Sequence, residues 1–175
     1  TNSLGATLTF TAAQISNDSQ IINNGSVTFA AGSTTAGTIR NNATLNVNLG
    51  SARFGLSGTG TTTIGPLATW DVASIAETTS AAIINAAGTM TFNSSANSFA
   101  GTLNLSGTLT GAGPLGIDGE LRWTAGSMTG LGRLAINHHA RLTMTGTASK
   151  TLSRIIDNFG TANWSGGQIQ GTGGT

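Results

Sequence analysis

Cysteine is absent from this 175-residue chain, and charge nearly so. Without thiols there are no disulfides and no thiolate metal sites. Charged residues make up 7% of the sequence, against about 25% in a typical soluble domain. The net charge of +1 leaves no electrostatic footprint for nucleic acid or an anionic membrane. The basic residues Arg40, Arg53, Arg122, Arg133, Arg141, Lys150 and Arg154 are scattered, although most fall after residue 120. No run approaches the roughly 18 apolar residues of a membrane helix. No basic-then-apolar leader opens the chain, which begins at Thr1. We therefore expect a segment of a longer protein. Helix signals are also lacking. Ala73–Ala87 is the only Ala-rich candidate, and Thr78, Thr79 and Ser80 interrupt it.

What fills the chain is Gly, Thr, Asn, Ser and Ala, arranged in repeats. Trp123-Thr-Ala-Gly-Ser-Met-Thr-Gly-Leu-Gly132 returns as Trp164-Ser-Gly-Gly-Gln-Ile-Gln-Gly-Thr-Gly173. Its second half is foreshadowed by Gly107-Thr-Leu-Thr-Gly-Ala-Gly113. A period near 20 residues means stacked units, each too small to close a core alone.

Short alternating pieces recur on the same period. They are Thr7–Phe10, Ser26–Phe29, Thr44–Val47, Thr69–Val72, Thr89–Phe92, Thr102–Leu105, Glu120–Trp123, Arg141–Met144 and Thr161–Trp164. Each sets two apolar residues two apart, so both lie on one face of a strand and the polar groups on the other. Between Leu45 and Trp70 the spacing widens, which predicts an irregular insertion near 48–60. A second element reads Ile21-Ile-Asn-Asn-Gly25, Ile39-Arg-Asn-Asn-Ala43, Ile83-Ile-Asn-Ala-Ala-Gly88 and Ile155-Ile-Asp-Asn-Phe-Gly160. Asn and Gly there suggest corners that need positive φ. A third is a Gly-x-(Leu/Met/Ile)-x-Gly-x-Gly run with one inward side chain.

Three short strands per 18–21 residues predict an all-β fold, a parallel β-helix (β-solenoid) of about eight coils spanning 1–175. At an interstrand spacing of about 4.8 Å such a rod is roughly 40 Å long. An antiparallel sandwich is the rival, but its strands need not resemble one another at a fixed interval.

Gly-Thr-Leu-Thr-Gly-x-Gly, Trp-Ser-Gly-Gly-x-Ile-x-Gly-x-Gly and Ile-Ile-Asn-Asn-Gly-Ser-Val resemble the degenerate repeats of large bacterial surface proteins. These include autotransporter passengers and filamentous-haemagglutinin-type adhesins. The similarity covers most of the chain and is one of repeat type. The Asn-Pro-Asn-Gly motif of haemagglutinin-type secretion modules and the autotransporter barrel are both missing. The resemblance implies a right-handed β-helical shaft, secreted or displayed on a Gram-negative cell. It implies no cofactor and no catalysis of its own. Partners would be host or environmental glycans or surface proteins, and neighbouring segments of its own longer chain. A membrane would be met only through a translocator outside this segment.

The acids are Asp18, Asp71, Glu77, Asp118, Glu120 and Asp157. Asp118 and Glu120 are two apart, which on a strand puts them on one face beside Arg122. That trio is the most enzyme-like constellation and the candidate carbohydrate contact. The alternative is an idle solvated patch. Hydrolysis needs two carboxylates across a cleft, and adjacent coils offer Asp118 no evident partner.

His138 and His139 would point to opposite faces of a strand and so make a poor chelate. They stand where other repeats carry corner residues. No Gly-x-x-x-x-Gly-Lys-Ser/Thr loop occurs. Trp70, Trp123 and Trp164 could stack on sugars if exposed, but their motif position favours an inward ladder. Thr7/Thr9, Thr61/Thr63, Thr89/Thr91, Thr108/Thr110 and Thr143/Thr145 form outward hydroxyl pairs of the kind that could face ice. Asn46, Asp71, Asn104, Glu120, Arg122 and Arg141 interrupt that grid, and Thr is in any case a good exposed strand residue.

Overall fold

The structure is a computed structural model. It describes residues 1–11, 16–30, 33–94 and 97–171, with the side chains of 16–19, 33–36 and 77 left undescribed. All nine alternating pieces are strands. Every strand pairing among the described residues is parallel. The chain winds as a β-solenoid of about eight turns, roughly 19 residues each, with no helix among the described residues.

Three faces make up each turn. The first stacks residues 7–10, 26–29, 44–47, 61–64, 83–86, 102–105, 120–123, 141–144 and 161–164. The second runs from 33–35 through 51–53, 69–72, 89–92, 108–110, 126–128 and 150–152 to 169–171. The third begins with 20–23, 38–41, 55–57 and the end of the Thr61–Thr78 strand. It continues as the four-stranded stack Asn97–Phe99, Leu115–Ile117, Leu134–Ile136 and Ile156–Asn158. Side chains join the two parts: Ile75 N donates to Asn97 Oδ1 at 2.9 Å, and Ala100 N to Thr78 Oγ1 at 3.3 Å.

The widened spacing in the middle now has a cause. Thr69–Val72 and Thr89–Phe92 carry the same motif as the others but lie on the second face. The first-face strand between 44–47 and 83–86 is 61–64, whose inward residues are the buried Thr62 and Ile64. A search for apolar pairs passes over it. Across 48–60 the chain runs as strand to Gly58, and its register against 61–78 shifts at three places.

Parallel registration puts like above like. Val27, Leu45, Ile84, Leu103 and Leu121 form one fully buried first-face column, with Phe29, Val47, Ile64, Leu105 and Trp123 two residues on. On the second face the inward residues include Ala52, Trp70, Met90, Leu109 and Met128. Phe10, Phe29, Phe54 and Trp70 stack in series, with ring centroids 5.2, 6.0 and 4.9 Å apart. Burial of this single core stabilises the fold by roughly 25 cal/mol for each Å² of apolar surface.

The Ile-Ile-Asn-Asn-Gly corners work differently from the expectation. Gly25, Gly88 and Gly160 are not among the positive-φ residues. They are glycine because consecutive corners touch: a Cβ on Gly25 would sit 2.3 Å from the Ala6 carbonyl oxygen, and one on Gly160 2.3 Å from that of Ala140. Positive φ falls instead on Gly111, Gly126 and Gly130, in the Gly-x-Leu/Met-x-Gly runs.

In the corners at Asn23 and Asn41 the first Asn points inward and is buried, as is Asn2. Asn2 Nδ2 donates to Asn23 Oδ1 at 2.9 Å, Asn23 Nδ2 to Asn41 Oδ1 at 2.8 Å, and Asn41 Nδ2 to Thr62 Oγ1 at 3.2 Å. Each Nδ2 also reaches a first-face carbonyl above, as Asn23 does at Thr44 O, 2.8 Å. Asn23 Oδ1 in turn accepts from Gly25 N. The ladder therefore satisfies buried amides and pins the corner at once.

Two outcomes test this packing. Trp123→Ala should lower unfolding free energy by about 3–5 kcal/mol in a denaturant titration, as large core truncations do. Asn23→Ala strips partners from Asn2 and Asn41 and should cost about 1–3 kcal/mol. An unchanged midpoint in either titration contradicts the placement.

Candidate functional site

The Asp118–Glu120–Arg122 trio is built where the third face turns onto the first. Asp118 lies in the bend after Leu115–Ile117, one residue short of the corner glycine Gly119. Glu120–Trp123 is the next strand, so Glu120 and Arg122 share its outer surface while Leu121 and Trp123 are buried.

Glu120 and Arg122 meet, with Nη2 of Arg122 2.8 Å from Oε2 of Glu120. Thr143, one turn on, donates its hydroxyl to Glu120 Oε1 at 2.9 Å. Asp118 is engaged elsewhere: Ser98, one turn back, donates to Oδ2, and Asn137 Nδ2, one turn on, donates to Oδ1 at 2.6 Å. The trio thus forms two polar clusters that tie three successive turns together.

The electrostatics follow from these contacts. The hydrogen bond from Arg122 holds the Glu120 carboxyl below its ordinary value, opposed by partial burial and helped by Thr143 and Arg141. Arg122 is raised by the same bond. A glycosidase acid needs the opposite, a carboxyl raised toward neutrality. Arg133 and Asp157 make a bidentate pair on the third face at 2.7 and 2.5 Å, which holds Asp157 below its ordinary value. Arg53 and Asp71 approach to 3.5 Å on the second face. No group of three His, Asp or Glu side chains that could hold a metal occurs among the described residues. Asp18 and Glu77 lie outside the described side chains.

His138 and His139 occupy the corner between Leu134–Ile136 and Arg141–Met144. His139 is the one non-glycine residue with positive φ among those described, at 71°. The His138 ring lies 6.0 Å from that of Phe159. Trp70 and Trp123 are fully buried. Trp164 falls on the same inward column, above Met144, yet is 59% exposed, with no described turn above it.

The hydroxyl grid divides between faces. Asn46, Asn104, Glu120, Arg122 and Arg141 all lie on the first face, and Asp71 lies on the second, beside Arg53. From Thr89 onward the second face carries two hydroxyl columns. One is Thr89, Thr108, Ser127 and Thr151, and beside it run Thr91, Thr110 and Thr129. Thr108 and Ser127 hydroxyls are 3.2 Å apart, and Thr129 donates to Thr110 at 3.0 Å. Sequence spacing alone could not assign a motif to a face, so it merged two surfaces.

Two buried cations escaped the sequence reading. Lys150 and Arg154 are 0% and 4% exposed, and among the described residues neither has a carboxylate partner. Lys150 Nζ donates to Ala148 O and Gly166 O at 3.3 and 3.4 Å. Arg154 Nη2 donates to Gly113 O at 2.6 Å, two turns away, and Nη1 to Thr129 O at 3.3 Å. A Cβ on Gly132 would lie 2.5 Å from Arg154 Nη2, so the glycine makes room for the guanidinium. Burial pushes Arg154 down from its ordinary value. The signal was present in register: Lys150 holds the inward place of Gly126 and Ile169.

The lowered Glu120 pKa can be measured. Its contribution to stability is present above the unfolded-state glutamate range and is lost as pH falls through the folded value. A carboxyl NMR titration should find Glu120 below an ordinary glutamate, and Arg122→Ala should move it upward. A Glu120 that titrates normally in both proteins contradicts the pairing.

Comparison with family models, with curated proteins and with solved structures found no match for this chain.

Proposed function

We propose that this solenoid is a structural shaft of an exported bacterial surface protein, which carries adhesive regions away from the cell and performs no catalysis of its own. The observation that carries the reading is the match between one continuous apolar core and an outer surface whose polar groups tie turn to turn. Asn104 Nδ2 donates to Asn85 Oδ1 at 2.8 Å, Asn42 Nδ2 to Asn24 Oδ1 at 2.9 Å, and Thr143 to Glu120. Such groups stiffen a rod and leave few polar atoms poised for chemistry. The repeat type of the sequence supports export and display. The trio suits a spacer too, since its acids are committed to neighbouring turns.

A carbohydrate-active role is the contrasting reading, with Asp118, Glu120 and Arg122 as contacts. One assay separates the two. The purified chain, incubated with a panel of plant, fungal and bacterial polysaccharides, should release no reducing ends and produce no unsaturated products. Turnover on any of them that disappears in Glu120→Gln overturns the shaft reading.

The paired hydroxyl columns of the second face favour one further alternative, an ice-binding plane. Thermal hysteresis that is lost in Thr89→Tyr would establish it. The shaft reading expects no hysteresis from either protein.

A further inference from the structure

Asn24-Gly25 is the one Asn-Gly step in the sequence. Such a step is chemically weak. Glycine has no side chain to shield its backbone nitrogen, so that nitrogen can close on the asparagine one residue back. The Gly25 N–H proton is lost to a solvent base and the nitrogen attacks Asn24 Cγ. A C–N bond forms, the Cγ–Nδ2 bond breaks and ammonia leaves. Water then opens the resulting succinimide at either carbonyl. One product is aspartate. The other is an isoaspartyl linkage, with one more carbon in the main chain.

The corner holds both reacting groups. Gly25 N donates to Asn23 Oδ1 at 3.1 Å. Asn23 is fully buried and is itself fixed, with Nδ2 donating to Asn41 Oδ1 and to Thr44 O, each at 2.8 Å. The Asn24 carboxamide is tied to the next turn, where Asn42 Nδ2 donates to its Oδ1 at 2.9 Å. The main chain is as firmly placed. Asn24 N donates to Asn2 O at 2.9 Å, Ser26 N to Ala6 O at 2.8 Å, and Thr44 N to Gly25 O at 3.1 Å. Even a Cβ on Gly25 would run into the Ala6 and Ser3 carbonyl oxygens, so the closed corner cannot take up a longer main chain. To react, Gly25 N must give up Asn23 and Asn24 must leave Asn42, which means opening the corner.

We propose that Asn24 is a modification site of this chain, a latent deamidation site that the Asn ladder keeps closed, with Asn23 as the positioning residue. The rate of modification follows the opening of one corner, not the unfolding of the rod. Aspartate at 24 still accepts from Asn42. An isoaspartyl linkage there shifts Ser26–Phe29 against both Thr7–Phe10 and Thr44–Val47.

The test holds the purified chain at mildly alkaline pH, folded in buffer and unfolded in urea. Peptide mass spectrometry follows residue 24 over time, and isoaspartate methyltransferase counts the isoaspartyl product. The folded parent should be modified many-fold more slowly than the unfolded chain. Folded Asn23→Ala should be modified roughly three- to tenfold faster than the folded parent, the change in open population that one lost hydrogen bond brings. That acceleration should stay nearly flat as urea is added below the unfolding midpoint. Asn42→Ala removes an exposed contact, should melt like the parent, and should also speed the reaction. A folded parent modified as fast as the unfolded chain overturns the proposal. So does a folded parent modified first at another asparagine, or a pair of variants no faster than the parent. An acceleration in Asn23→Ala that climbs steeply with urea marks global unfolding and counts against the corner as well.

Discussion

The parallel backbone ladder between successive turns is the interaction on which everything else rests. It fixes a spacing of about 4.8 Å and brings each residue over one equivalent residue below. Once that holds, a side chain must suit its column more than its sequence neighbours. Val27, Leu45, Ile84, Leu103 and Leu121 share a column in which aliphatic meets aliphatic, save where Thr62 stands between Leu45 and Ile84. The same constraint explains the glycines. Where corners bring carbonyls of adjacent turns within reach of a Cβ, as at Gly25 and Gly160, no other residue fits.

Polar groups obey the same rule. The inward Asn ladder closes amides that would otherwise be buried without partners, and outward Asn, Thr and Ser pair along the rod instead of recruiting ions. A chain with 7% charge can therefore present a hydrophilic surface without repelling itself. Lys150 and Arg154 show how far the columns tolerate exceptions. Each is buried and finds main-chain carbonyls in glycine-rich corners.

Much of the fold was legible because period-two pairs within a repeat near 20 residues admit few architectures. The nine strands and the buried Leu109 and Met128 of the glycine runs were readable residue by residue. Face assignment was not. The same Thr-x-Thr motif serves two faces, and Thr62 replaces an apolar residue where the first face crosses the irregular middle. Trp164 shows a further gap, since an inward position is buried only if a turn lies above it. The trio near Asp118 looked like one cluster on the page. In space the bend at Asp118 separates it from the Glu120–Arg122 pair, and each acid is held by neighbouring turns.

Distances along one outward column test the winding most directly. Thr28, Asn46, Thr63, Asn85, Asn104, Arg122, Thr143 and Asn163 lie one above another on the first face. Spin labels at Thr28 and Asn104 should report about 19 Å by pulsed electron resonance, and labels at Thr28 and Asn163 about 34 Å, from the interstrand spacing alone. A separation between Thr28 and Asn163 no longer than that between Thr28 and Asn104 would contradict the solenoid.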